Sequence, residues 1–509
     1  MLKVMETYDH HAGVQGVVLD GALFHHESST ADAHFEKLLF RLFYSHIRVG
    51  VLFCKSEGDK GIDFRLDKID NYLLSDISID IKKSSNNSVE NALKEFSRAW
   101  ELAATRCIFF SLSLKKSLKD ELVNQGWHIC LPVDNVNPML DKTINHIQGL
   151  YNQIACINKE SDQDLKIVGY SMKWSREMDF LKRGALPLNK LQKNLCFLPV
   201  NLDLPLSEQC KLLDIMLHKP TDEILNASLG EKGSLQDQIR LTDAMRQSIA
   251  FFRSHPEICV VDPIERILPL VDRALTQEIL QGLPTADSQG SKRIRAPRYK
   301  RVLKFDCIPP SKILEDCGFS LPAIIKPQVA CGVSNAHIMA VVFNEAGFLN
   351  LDVPTPSVIQ EYVDHGSTLY KFYVIGENLF YSVRNSTPNA AVGMDSTASS
   401  GLPPVIVFDS LKSLPKNFRA DQGSMSGDFA SSQGSSGVDL ELVSEAASWL
   451  QEKLKLTIFG FDVVIELATG DHVIIDMNFF PTFKDVDEQI AIPAFWNALL
   501  RAHAFHNAS

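Results

Sequence analysis

The chain has 509 residues, 45% of them hydrophobic and 22% charged, as in a well-buried globular protein; collagen, coiled-coil and disordered classes are excluded for its bulk. The length exceeds one ordinary core and requires about two to four domains. With 51 Lys and Arg against 62 Asp and Glu, the formal net charge of −11 argues against sequence-independent binding to DNA, RNA or anionic membrane.

Residues 1–160 alternate strand-like and helix-like patterns. Val14 to Leu19 is a short apolar run, and Phe35, Leu38, Leu39, Leu42 and Phe43 mark one helical face. Val49 to Cys54 reads as a strand, Val89 to Trp100 as a helix, and Cys107 to Leu112 and Trp127 to Pro132 as further strands. Such alternation predicts a parallel sheet covered by helices. Asp20-Gly21 after the first strand invites a phosphatase reading, but that chemistry needs a second acid two residues on, where Ala22 stands. A structural domain without catalysis of its own is the preferred reading.

A second unit, residues 165–285, opens on the strand Ile167 to Tyr170. It continues with a helix from Phe180 onward and strands over Leu195 to Val200 and Leu212 to His218. It closes at Ile258 to Pro263, and Gln281 to Pro297 reads as a linker rich in Gly, Ser, Pro and Arg. A third unit, residues 300–505, reads as α+β. Its strands are expected at Ala323 to Ile325, His337 to Phe343, Val358 to Val363, Tyr370 to Ile375, Ile458 to Ile465 and His472 to Ile475. Leu411 to Gly437 is Ser/Gly-rich and aperiodic and reads as a loop; the helix after it carries Leu442, Ala446, Trp449, Leu450 and Leu454 on one face.

The ten cysteines form no Cys-x-x-Cys and mostly sit in apolar runs, as buried free thiols of a reducing compartment do. The N-terminus has no signal-peptide apolar core, and no run of about 18 apolar residues exists to span a membrane. A soluble intracellular chain, cytoplasmic in location, is expected. P-loop and Gly-rich dinucleotide motifs are missing, as are the motifs of the simplest hydrolases.

Three local signals remain. Asp462 follows Ile458-Phe459-Gly460-Phe461, and Asp476 follows Val473-Ile474-Ile475, with Asn478 and Pro481 close behind. Acids at apolar strand ends are costly to bury without a cation, and hard oxygen donors suit Mg²⁺; turn-capping Asp residues fit the segment equally well. Lys326 ends the strand Ala323-Ile324-Ile325 beside a polar turn and could neutralise nucleotide phosphates, although alone it reads better as a snorkelling strand-end lysine. Ile359-Gln360-Glu361-Tyr362-Val363, with Lys371 after it, is either a strand whose backbone receives an adenine ring or an edge strand with solvated polar positions.

The order of these signals resembles the ATP-grasp fold. The motifs His218-Lys219-x-Thr221-Asp222, Val271-Asp272-Arg273, Ala336-His337-x-Met339, Ile359 to His365 and Ile475-Asp476-x-Asn478-x-x-Pro481 narrow the resemblance to one family. That is the inositol-tetrakisphosphate 1-kinase, or inositol 1,3,4-trisphosphate 5/6-kinase, family, matched from about Ile167 to His503. With its extra N-terminal domain the chain looks like the family's long plant isoform.

The resemblance implies a multidomain α/β and α+β protein: an accessory N-terminal α/β domain, a Rossmann-like pre-ATP-grasp domain that binds inositol phosphate, and an ATP-grasp catalytic domain. It implies ATP and two Mg²⁺ ions as cofactors, an inositol polyphosphate substrate, no nucleic-acid partner, no membrane insertion and a monomer. Position by position, Arg273, Lys326, the segment Gln360, Glu361, Tyr362, Val363 through Lys371, and Ser386 match nucleotide contacts. Asp462, Asp476 and Asn478 match magnesium ligands. Arg176, Lys219, His337, Lys371, Asn478 and Thr482 match substrate contacts, with His337 and Lys371 the catalytic candidates. Arg176 replaces a usual Lys, Cys331 stands where some members have His, and Thr482 where the family usually has Gly.

A satisfied structural histidine is the competing account of His337. The basic run Lys292, Arg293, Arg295, Arg298, Lys300, Arg301 and Lys304 reads as a solvated linker in preference to a funnel for anionic substrate. Two other functions stay open: an ATP-grasp carboxylate–amine ligase, and an inositol-phosphate-binding scaffold with weak turnover.

Overall fold

The computed structural model describes residues 13–25, 29–54, 79–84, 89–132, 142–189, 194–227, 239–284, 293–305, 309–333, 335–349, 351–390, 404–412 and 437–508. Two compact units emerge: one from residues 1–218, 250–260 and 503–509, the other from 219–249 and 261–502.

In the first unit, β1 (Gly16–Asp20), β2 (Arg48–Cys54), β3 (Asp80–Ser84), β4 (Cys107–Phe110) and β5 (His128–Cys130) form a five-stranded sheet in the order β3-β2-β1-β4-β5. All its pairings are parallel. Val17, Val18 and Leu19 of β1 are fully buried, as a central parallel strand covered on both faces requires. One face receives α1 (Ser29–Tyr44) through Phe35, Leu38, Leu39 and Leu42. The other receives α2 (Val89–Trp100) through Ala92, Leu93, Phe96 and Trp100, with α3 (Lys116–Asn124) adding Leu122. At the carboxyl edge, Asp20 Oδ1 accepts the Ala22 N–H at 2.9 Å and Oδ2 accepts the Ser111 hydroxyl at 2.5 Å. Both oxygens of Asp20 are thus used inside the domain.

A twenty-residue helix missed by the sequence reading, α4 (Lys142–Ser161), ends just before the second sheet begins. Its Ile147, Leu150, Tyr151 and Ile154 join one apolar cluster with α1 and with the second sheet. That sheet holds β6 (Lys166–Ser171), β7 (Leu195–Pro199), β8 (Ile215–His218) and β11 (Cys259–Val261) in the order β11-β8-β6-β7, with β6 parallel to β7 and β8. The helix expected from Phe180 onward instead runs as α5 (Trp174–Lys182); Gly184 at φ +68° takes the left-handed conformation that ends it. The strand expected over Leu212 to His218 starts only at Ile215, because a turn donates Leu213 N to Cys210 O at 3.1 Å.

The second unit contains a short antiparallel pair, β9 (Ile224–Ala227) and β10 (Ile239–Leu241). α6 (Asp243–Ser254) follows, and then α7 (Arg273–Gln281). Two larger sheets follow. One joins β13 (Tyr299–Val302), β16 (Ser357–Glu361), β14 (Ala323–Pro327), β15 (Ile338–Val342) and β19 (Val405–Asp409), all antiparallel in that order. The other joins β12 (Ile294–Arg295), β21 (His472–Phe479), β20 (Ile458–Ile465), β17 (Thr368–Ile375) and β18 (Asn378–Asn385). The expected linker over residues 281–297 therefore contains a strand, β12, paired in parallel with β21; residues 285–292 lie outside the described set. β16 stops at Glu361, so Tyr362 and Val363 fall beyond the strand. β18 and β19 were not expected: β18 is an exposed edge strand with Asn, Ser and Arg among its residues, which hides its period. α8 (Leu440–Leu454) is the helix expected there, capped by Asp439, which accepts the Leu442 N–H at 3.1 Å. Residues 413–436 of the expected loop lie outside the described set.

Among the described residues, no helix is long and apolar enough to cross a membrane. Cys107, Cys130, Cys156, Cys196, Cys210, Cys259 and Cys331 are free thiols. Burial pushes Cys107, Cys130, Cys196 and Cys210 up to about 12. Only the thiolate is nucleophilic. The native protein at pH 8 is therefore expected to leave these four unalkylated by iodoacetamide, while guanidinium exposes all of them. Peptide mass spectrometry of the two samples checks this, and native labelling at Cys196 would contradict the packing.

Candidate active site

The site residues of the second unit stand on facing strand positions; β21 runs on to Phe479, so Asp476 and Asn478 lie inside it and not after a strand end at Ile475. Antiparallel register sets Lys371 of β17 opposite Asp462 of β20, and Asp462 opposite Asp476 of β21, with Asn478 opposite Gly460. Lys371 Nζ lies 3.7 Å from Asp462 Oδ1, an ion pair too long for a hydrogen bond. Asp462 Oδ1 is buried without a hydrogen-bond partner. Burial pushes its carboxyl up to about 6; Lys371 works against that shift and Asp476 adds to it. Asp476 Oδ1 accepts its neighbour's N–H, from Met477, at 2.9 Å. A register shift between Asp462 and Val463 marks a bulge beside the pair, a device that re-aims side chains.

Two carboxylates and one amide oxygen form a hard-oxygen donor set, and the orphaned Asp462 oxygen lacks the cation or donor that burial demands. The residues fit Mg²⁺. Asp462, Asp476 and Asn478 would hold it.

Further cations come from β14 and α7. Lys326, at the end of β14, is buried and donates to Ile475 O of β21 at 2.9 Å, linking the two sheets one residue before Asp476. Burial lowers its ammonium to about 8 against the pull of Asp476. Arg273 opens α7, whose cap Asp272 accepts Ala274 N at 2.8 Å and is itself held by Gln328 Nε2. The Arg273 guanidinium is buried; Nη1 donates to the carbonyls of Pro327, Val329 and Ala336 at 2.7, 3.2 and 3.1 Å, bracing the turn that contains Cys331. Burial lowers its proton affinity.

Lys219 donates to Phe479 O and stands 4.8 Å over the Phe479 ring, next to Asn478. His337 precedes β15, and Ser410 Oγ lies 3.3 Å from its Nδ1. Its imidazole is lowered by burial and by Arg273. Thr482 sits between Phe480 at φ 42° and Phe483 at φ 40°. Positive φ on bulky residues is strained, and such strain gathers at binding sites. Gly460 makes room there, since a Cβ on it would stand 2.9 Å from Phe372 O and 3.2 Å from Pro481 Cγ.

The expected adenine segment is partly occupied. The Glu361 carboxylate accepts Arg298 N at 3.0 Å and Arg298 Nε at 2.7 Å, and it also accepts Arg295. Burial raises this carboxyl, but those donors outweigh it and hold it below the usual range. Gln360 is buried within β16, the Tyr362 hydroxyl donates to Pro388 O, and Val363 packs with Val464 and Val473. Ser386 follows β18 and donates its N–H to Ser367 O at 2.8 Å.

Part of the basic run is engaged inside the protein, while Arg293 and Lys304 are exposed. Arg295 also binds Glu466 at 3.1 Å, Lys300 pairs with Asp316 at 3.5 Å, and Arg301 Nε donates to Gln328 at 2.7 Å. Lys292 lies outside the described residues. The sequence reading missed the acids that take up this charge, because Glu361 is separated from Arg295 by 66 residues. Arg176 belongs to the first unit, on α5.

A sequence profile described as the inositol 1,3,4-trisphosphate 5/6-kinase ATP-grasp domain matches residues 288–497, and one for that kinase's pre-ATP-grasp domain matches residues 167–267. A third, described as "ITPK4, N-terminal HAD-like domain", matches residues 10–160. Over 479 residues the chain is 37% identical to inositol-tetrakisphosphate 1-kinase 6 of Oryza sativa subsp. japonica, covering 92% of this chain and 84% of that protein. It is 29% identical over 329 residues to inositol-tetrakisphosphate 1-kinase of Xenopus laevis, covering 64% and 76%. Inositol-tetrakisphosphate 1-kinase 3 of Arabidopsis thaliana is 27% identical over 334 residues, covering 63% and 81%. Motifs, architecture and kinship agree: the chain belongs to the inositol-tetrakisphosphate 1-kinase family and carries its ATP-grasp domain behind an HAD-like N-terminal domain.

Proposed function

We propose that this chain, an ATP-dependent inositol phosphate kinase by family, transfers the γ-phosphoryl of ATP to a hydroxyl of inositol tris- or tetrakisphosphate. The reactions are those of a 1,3,4-trisphosphate 5/6-kinase and a 3,4,5,6-tetrakisphosphate 1-kinase. The observation that carries the reading is the convergence of Lys326, Asp462, Asp476 and Asn478 from two sheets onto one place. Phosphoryl transfer proceeds through a loose transition state, so the protein's contribution is mainly positioning and fixed charge.

In this reading Lys326 and Arg273 hold the nucleotide phosphates, and Gln360 to Val363, Lys371 and Ser386 form the nucleotide cleft. Asp462, Asp476 and Asn478 would hold magnesium, two ions in all, which would supply positive charge against the nucleotide phosphates. Arg176, Lys219, His337, Lys371, Asn478 and Thr482 grip the inositol phosphate, each phosphate of which carries close to two negative charges. His337 would orient the attacking hydroxyl. The division into residues 1–160, 165–285 and 300–505 belongs to the same proposal, as does a cytoplasmic location, which the free thiols support.

Magnesium binding has a direct test. In the full chain, Mg²⁺ at about 100 times its dissociation constant should stabilise the protein by about 2.7 kcal/mol, seen as a higher thermal midpoint. The variant Asp462→Ala/Asp476→Ala should lose that response. An equal shift in both proteins would remove these residues from the metal site.

Turnover is tested by incubation with ATP and separate inositol tris- and tetrakisphosphate isomers, the products being resolved by chromatography. Asp476→Asn and Lys326→Met are each expected to lower kcat by about 100-fold or more. ADP formed only when an amine and a carboxylate are supplied would establish the ligase instead. Tight inositol phosphate binding with negligible turnover in the unmutated chain would establish the scaffold.

A further inference from the structure

The accessory domain contacts the helix that bears Arg176 through a buried charged cluster. Arg41 of α1 forks onto Glu177 of α5, Nε donating to Oε1 at 2.6 Å and Nη2 to Oε2 at 2.9 Å. Arg41 Nη1 donates to the Tyr151 hydroxyl of α4 at 3.0 Å, and the Tyr170 hydroxyl of β6 donates to Glu177 Oε1 at 2.6 Å. The two charged side chains are only 13% and 4% exposed.

Trp174, the first residue of α5, adds a second hold. Its ring lies 6.0 Å from that of Phe40, with Lys37 Nζ at 5.5 Å and Arg41 Cζ at 5.7 Å over its face. Beyond the helix, Leu188 N donates to the Ser45 hydroxyl at 2.8 Å, and Leu188 O accepts Asn158 Nδ2 at 3.0 Å. Both flanks of α5 are therefore held by residues of α1 and α4 or the loop after α1.

A buried ion pair is a poor source of net stability, since desolvation consumes most of its Coulomb energy and apolar side chains would fill the space as well. What a bidentate fork supplies is direction. Glu177 is fixed from two sides by Arg41 and Tyr170, and Trp174 three residues earlier is fixed by a ring and two cations. Arg176 lies between them in the same turn, so its backbone has little freedom left.

We propose that Arg41, Glu177 and Trp174 are positioning residues for Arg176, so that the accessory domain sets the geometry of one substrate-phosphate contact. The proposal rests on the reading of Arg176 given above. An Arg in place of the family's Lys makes such positioning more demanding, because a planar fork engages phosphate well only when its plane is aligned.

The test uses the full chain, steady-state kinetics with inositol phosphate and ATP varied separately, and amide hydrogen exchange over residues 174–178. Arg41→Lys keeps the charge but loses the fork. It should raise the inositol phosphate KM about tenfold, leave the ATP KM and kcat within about twofold, and speed exchange in the first turn of α5. Trp174→Leu removes the ring contact without touching the buried charges; it should move the same two readouts whatever happens to folding in Arg41→Lys. Unchanged exchange in the folded variants would overturn the clamp, and equal rises in both KM values would reduce it to general loosening. Arg176→Met separates the two readings. If it leaves the inositol phosphate KM unchanged, the role of Arg176 is wrong; if it raises that KM while Arg41→Lys and Trp174→Leu do not, the positioning role is wrong.

Discussion

The second unit is organised around the pairing of Asp462 with Asp476 on adjacent strands. Two carboxylates at one level of a sheet, one of them with a buried oxygen lacking a hydrogen bond, are unfavourable in a low-dielectric interior unless positive charge surrounds them. The register of β17 brings Lys371 opposite Asp462, and Lys326 reaches from the other sheet to the carbonyl preceding Asp476. Neither lysine fully relieves the pair: the Lys371 contact is 3.7 Å, and Lys326 spends its hydrogen bond on a backbone oxygen. The remaining deficit of positive charge is what the proposed divalent cation would offset.

Charge that is paired inside the protein has to be separated from charge offered to a ligand. The net −11 weighs against extended polyanions but says little about a compact one, because a few convergent cations decide that case. The reverse error is equally easy. The basic run near residue 295 has the composition of an anion funnel, yet Glu361, Glu466 and Asp316 pair with Arg295, Arg298 and Lys300 within it. Lys219 and Lys326 are different: they donate to the main-chain carbonyls of Phe479 and Ile475, beside Asn478 and Asp476.

Much of the fold was legible where burial imposes a pattern. The apolar runs of β1, β4, β6 and β20 and the stripes of α1, α2 and α8 stand where hydrophobicity placed them, within a few residues. Reading failed where another force sets the structure. β18 is an exposed edge held by pairing with β17, so its side chains carry no burial period. α5 ends where Phe180 suggested it began, because Trp174 and Glu177 owe their places to Arg41, 136 residues from Glu177, and to its neighbours. In the site, Asp462, Asp476, Asn478 and Lys326 were visible as polar residues after apolar runs, although β20 and β21 continue through Asp462, Asp476 and Asn478. The Glu361 clamp was not, since nothing in a strand sequence tells that its carboxylate serves two arginines.

The accessory domain is bound to the pre-ATP-grasp sheet by one continuous core, in which α4 residues of the first meet Ile167, Cys196 and Leu198 of the second. A tethered module with its own core would show polar residues along that seam, as interfaces between loosely joined domains do. Here the seam is apolar, and the polar groups within it, Asn158, Arg41 and Glu177, are each matched to a partner. Cutting the chain near residue 160 would expose Ile167, Cys196 and Leu198 and leave Glu177 buried with Tyr170 but without its cation. The N-terminal domain therefore shares its core with the pre-ATP-grasp sheet, and Asp20, both oxygens spent on Ala22 and Ser111, sits in it as a turn cap.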